Sequence, residues 1–111
     1  MWQSNATPAV AAQATVTKAA GGAGVSHVLY GVVATIAAGA TAQTPLTVQV
    51  LDGASVIFTA AISCPANGQG QVSILGLHIP GSAATSMTLQ FSGAGAAATQ
   101  QAVTLIGYDV A

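Results

Sequence analysis

Leu46-Thr47-Val48-Gln49-Val50-Leu51-Asp52-Gly53-Ala54-Ser55-Val56-Ile57-Phe58-Thr59-Ala60-Ala61-Ile62 is the stretch that decides the fold class. Leu46, Val48 and Val50 alternate with Thr47 and Gln49, the period of a half-buried strand. Asp52-Gly53 follows at once, and a second apolar run begins at Val56. A DG pair between two such runs is a strong local signal for a β-hairpin. In that turn Asp52 is expected to have a local structural role.

Upstream, His27–Ala37 reads as the strongest strand, with Val28, Tyr30, Val32, Ala34 and Ile36 on one face. Leu29, Val33 and Thr35 fall on the other face, so cover on both sides is expected for part of its length. Gln13–Ala19 alternates weakly, and Gly21-Gly22-Ala23-Gly24 is a turn or loop. Gly39–Pro45 is expected to be a loop. Downstream, Pro65-Ala66-Asn67-Gly68 is a turn, and Val72–Ile79 is expected to be one strand with a bulge at Gly76. Pro80-Gly81-Ser82 breaks the chain. Met87, Leu89 and Phe91 share one face of the next strand, and Gln101–Val110 forms the last.

This makes about six to eight strands at the turn spacing of a sandwich or barrel. The expected fold is all-β: a single-domain antiparallel β-sandwich or jelly-roll-like barrel over residues 10–111, preceded by a flexible arm, residues 1–9. Alanine favours helix, but Gly and Thr interrupt every alanine-rich stretch, and no helical apolar stripe appears.

Charge is nearly absent. Charged residues are 3% of the 111, and the inventory is Lys18, Asp52 and Asp109. Soluble surfaces usually carry roughly 25–35% charged residues. A chain with so few is better suited to an assembly that covers its surface. No basic patch exists, so no nucleic-acid partner is expected. One lysine cannot hold an anionic membrane surface. Any partner contact rests on shape, apolar area and neutral hydrogen bonds, and should be nearly insensitive to salt. No run of about 18 apolar residues occurs, so no spanning helix is expected. Met1–Asn5 does not read as a secretion signal.

The chain holds little catalytic inventory. Asp109 reads as a solvated strand end, and it and Asp52 form no spaced carboxylate pair. Cys64 could meet His27 or His78 only through the fold, and a small buried thiol is the plainer reading. No short-range ligand pair marks a zinc site. Gly21–Gly24 lacks the lysine and following helix of a phosphate loop. The expectation is therefore no enzyme, no cofactor and no metal. Trp2 is the one large apolar group on the arm and the candidate assembly contact.

Gly39-Ala40-Thr41-Ala42-Gln43-Thr44-Pro45, Leu51-Asp52-Gly53-Ala54, Pro65-Ala66-Asn67-Gly68 and Met87–Gly95 (MTLQFSGAG) resemble phrases of small virion proteins of tailed bacteriophages. The resemblance covers most of the chain from about Val10 onward. It implies a head decoration or cement protein, made in the host cytoplasm and carried on the capsid surface of the virion. Such proteins typically sit as homotrimers on threefold positions and bridge capsomers of the major capsid protein. The rival expectation is a tail-associated or fibre domain that recognises a host surface glycan.

Overall fold

A computed structural model describes residues 1–111. It contains nine strands: β1 (Trp2–Ala6), β2 (Thr15–Lys18), β3 (Ser26–Ala37), β4 (Gln43–Asp52), β5 (Ser55–Cys64), β6 (Gln69–Ile74), β7 (Ile79–Ala83), β8 (Met87–Phe91) and β9 (Gln100–Val110). No helix is long and apolar enough to cross a membrane.

The strands form two antiparallel sheets. One runs β1-β9-β3-β6, with β7 also on β3; the other runs β2-β8-β4-β5. β6 and β7 lie end to end along one edge of β3, Ile74 opposite Val32 and Ile79 opposite Leu29. Leu75–His78 leaves the ladder between them, and Gly76 takes a φ of 84° there, a conformation glycine adopts without steric cost. Counted as one interrupted strand, β6 and β7 reveal the logic of the chain. The first strand pairs with the last, β2 with β8, β3 with β6 and β7, and β4 with β5. That is one long antiparallel hairpin rolled over on itself, the jelly-roll form of the β-sandwich.

Alternation places the core between the sheets. Leu29, Val32, Ala34 and Ile36 of β3 and Val103 and Leu105 of β9 enter from one sheet. Val48 and Val50 of β4, Met87, Leu89 and Phe91 of β8, and Ile62 and Cys64 of β5 enter from the other. Leu29 and Val32 both point inward because the ladder to β9 shifts register between Leu29 and Gly31, leaving Tyr30 as an extra residue. The single-face reading of Val28 through Ile36 is corrected by that bulge: one added residue swaps the two faces.

Three further expectations are corrected. The flexible arm of residues 1–9 is in large part a strand, since Trp2–Ala6 pair with Gly107–Val103 of β9. The outer edge of β9 supplies backbone partners, and Gly107 makes room for the Trp2 ring: a Cβ there would lie 2.6 Å from the indole. The Gly39–Pro45 loop ends early, because β4 begins at Gln43. The break at Pro80-Gly81-Ser82 falls inside β7, on a sheet edge where a proline's missing N–H is tolerated.

Neutral amides tie loops to the sheets. Gln101, fully buried, accepts from the Ala14 N–H at 2.8 Å and donates to the Gly93 carbonyl at 3.0 Å. Gln43 accepts from the Ala96 N–H at 2.6 Å and donates to the Thr44 carbonyl at 2.8 Å. Gln13 donates to the Phe91 carbonyl and Gln100 to that of Pro8. One buried hydroxyl in this region, Thr99 Oγ1, has no partner. An unpaired buried polar group costs about 1–3 kcal/mol. Thr99→Val is therefore expected to raise the unfolding free energy by about 1 kcal/mol, read from urea titrations; a loss of that size would show that the hydroxyl is satisfied.

Candidate functional site

The charged residues gather into two sites. At one end of the sandwich, β1, β2, β3 and β9 bring together Trp2, Lys18, His27 and Asp109. His27 is buried. Its Nδ1 lies 2.6 Å from Asp109 Oδ1, and its Nε2 lies 2.7 Å from the Ala19 carbonyl oxygen. The Trp2 Nε1–H donates to the same Asp109 oxygen at 2.8 Å. The indole meets the His27 ring edge-on at 5.3 Å, and Lys18 Nζ stands 5.4 Å from the indole centroid, within cation–π range.

The hydrogen bond with His27 holds the Asp109 carboxyl below its ordinary value, and the bond from Trp2 adds to it. Asp109 is an exposed strand-end residue, as the sequence suggested, and in addition it anchors His27 and Trp2. Both imidazole nitrogens are engaged, and Cys64 lies in the core.

Asp52 forms the second site, and its local turn role is also corrected. Its carboxylate accepts from the Ser82 N–H at 3.0 and 2.9 Å and from the Ser82 hydroxyl at 2.8 Å. These bonds tie the β4–β5 hairpin to β7 in the opposite sheet. Gly81 permits the approach, since a Cβ there would lie 2.8 Å from Asp52 Oδ1. No group of three or more His, Cys, Asp or Glu side chains gathers that could hold a metal ion.

With Lys18, Asp52 and Asp109 so engaged, the remaining surface is neutral. The outward positions of the β1-β9-β3-β6 sheet are amides, hydroxyls, and small or aliphatic groups, including Asn5, Thr104, Val33 and Ser73 in one row. At one end of that sheet a cleft of about 390 Å³ lies between Thr35, Gln69, Gln71 and Gln100. No aromatic ring lines it. At the other end His78 Nδ1 and the Tyr108 hydroxyl share a hydrogen bond, with the rings stacked. Trp2, the residue picked out in the sequence, is half-buried on the β1 edge and bonded within its own fold. Sequence reading missed His27 and Asp109 as partners because 82 residues separate them; only the β3–β9 register makes them neighbours.

No family model, curated protein or solved structure matches the chain.

The depressed Asp109 value gives a sign for acid stability. A carboxyl held low in the fold favours the folded state above its unfolded value, near 3.8, and loses that contribution as pH falls further. Urea titrations at pH 5 and pH 2.5 should show wild type more stable than Asp109→Asn at the higher pH, with the gap shrinking at the lower. A gap independent of pH would contradict the assignment.

Proposed function

We propose that the chain is a non-enzymatic structural protein of a bacteriophage virion, a decoration or cement protein that coats the capsid surface. Its partners are copies of itself and the major capsid protein, across neighbouring capsomers. The observation that carries the reading is the neutral surface: Lys18, Asp109 and Asp52 are all engaged within the fold. Little electrostatic repulsion opposes close packing of copies on a lattice. Small and neutral polar groups can meet a partner without the large desolvation cost of a charge.

The jelly-roll topology supports the reading as an analogy, since viral capsid domains and lectins both use it. Modest contacts repeated over a lattice gain strength by multivalency. The homotrimer is the state that the sequence resemblance implies. Trp2 enters the proposal as an edge residue fixed in β1, no longer as the tip of a reaching arm. The alternative, a tail or fibre domain for host glycans, draws on the amide-lined cleft beside Gln69, Gln71 and Gln100. That cleft lacks the aromatic platform on which sugar rings commonly stack, so the coating reading ranks above it.

Quantitative mass spectrometry of purified virions tests the proposal. The expected count is hundreds of copies, near one per major capsid subunit. A few to a few tens would move the protein to the tail or a vertex, and absence from the particle would overturn the structural reading.

A further inference from the structure

We infer that Asn67 is a site of spontaneous modification: its carboxamide closes onto the Gly68 nitrogen, and hydrolysis of that ring turns residue 67 into aspartate or isoaspartate. The inference goes beyond the capsid proposal and does not rest on it.

Asparagine is among the thermolabile residues. An asparagine or aspartate followed by glycine closes this ring most readily, because glycine puts no Cβ beside the attacking nitrogen. The chain holds two such pairs, Asp52-Gly53 and Asn67-Gly68. The fold treats them differently. The Asp52 carboxylate is clamped by the N–H and hydroxyl of Ser82. Asn67 stands exposed in the turn between β5 and β6, and no such clamp holds its carboxamide. Its φ of 54° lies in the left-handed region, which asparagine enters more readily than most residues. Packing requires glycine at 68, since a Cβ there would lie 2.5 Å from the Pro65 ring. The same bare position leaves the attacking nitrogen unhindered.

The turn sets when the reaction starts. The Gly68 N–H donates to the Pro65 carbonyl at 3.0 Å, so attack follows a local opening of the turn. Exposed turns open at far smaller free-energy cost than core strands. The Asn67 N–H donates to the Gly39 carbonyl at 2.7 Å, and the Ala38 N–H to the Gly68 carbonyl at 3.0 Å. These bonds tie the reacting pair to the chain after β3. The other asparagine, Asn5, is paired within β1 and followed by Ala6.

Water is the only co-reactant. Hydroxide takes the Gly68 N–H proton, and the nitrogen bonds to Asn67 Cγ. The Cγ–Nδ2 bond breaks, and ammonia leaves with a proton drawn from water. Water then opens the imide. Cleavage of the new N–Cγ bond gives aspartate; cleavage between the nitrogen and the main-chain carbonyl carbon gives isoaspartate. Either product adds one negative charge to a chain whose formal net charge is −1. Asp52 and Asp109 are engaged within the fold, so the new group becomes an unpaired side-chain carboxylate on a neutral surface, where a charge-changing modification has its largest effect.

Incubation of the folded full chain in mildly alkaline buffer tests the inference, followed by isoelectric focusing and fragmentation mass spectrometry. One more-acidic species should accumulate, faster as pH rises, with the amide-to-acid mass change at residue 67. An isoaspartyl methyltransferase should label part of it. Asn67→Gln should lose the species, and Asn5→Gln should form it at the wild-type rate. Asn67→Asp should focus with the acidic species from the start, which identifies the product even where Asn67→Gln disturbs the turn. Circular dichroism checks that each sample stays folded. The inference is overturned by a chain that forms no acidic species or by a mass change that maps to Asn5 or a glutamine. It is equally overturned by a species that persists in Asn67→Gln, or by a product without isoaspartate. None of these outcomes touches the copy count in virions, so the capsid proposal stands or falls separately.

Discussion

The structure depends on the pairing of β3 with β9. These are the longest strands, twelve and eleven residues, and they run together from Ser26 opposite Val110 to Ala37 opposite Gln100. Their inward residues make six of the fourteen in the core cluster. Their register also sets buried His27 opposite the exposed carboxylate of Asp109. β1 then adds to the outer side of β9, and β6 and β7 to the outer side of β3. If the central ladder slipped by one residue, each strand would turn its apolar set to the wrong face.

Around that ladder the chain replaces ion pairs with amides. Gln101 and Gln43 bind the Ser92–Thr99 loop at Gly93 and Ala96, and Gln13 and Gln100 hold neighbouring backbone carbonyls. A buried neutral amide whose groups are satisfied avoids the desolvation penalty of a buried charge. The result is a sandwich held by apolar packing and neutral hydrogen bonds, with its few charges turned to internal use.

Much of the architecture was legible in the sequence, and the parts that were not share a physical cause. Period-two patterning located β3, β8, β9 and the β4–β5 hairpin, because each strand's alternation is local. Trp2–Ala6 gave no such signal. Its strand exists because β9 offers an open edge and Gly107 clears space for an indole, a relation across more than 100 residues. Asp52 looked like a turn residue because Asp-Gly is a turn signal. Its carboxylate in fact reaches Ser82, which only the stacking of the two sheets brings near. The bulge at Tyr30 was hidden for the same reason, since it is a property of a pair of strands.

We propose that this surface meets its partners through neutral contacts. It is tested most directly by the attachment of the purified chain to capsids that lack it, measured at about 0.05 M and about 0.5 M salt. Exposed charge pairs weaken strongly over that range as the screening length shortens, whereas apolar and neutral polar contacts do not. Affinities that agree within about twofold are expected. A fall of about tenfold or more at the higher salt would contradict it, and would place ion pairs at the interface.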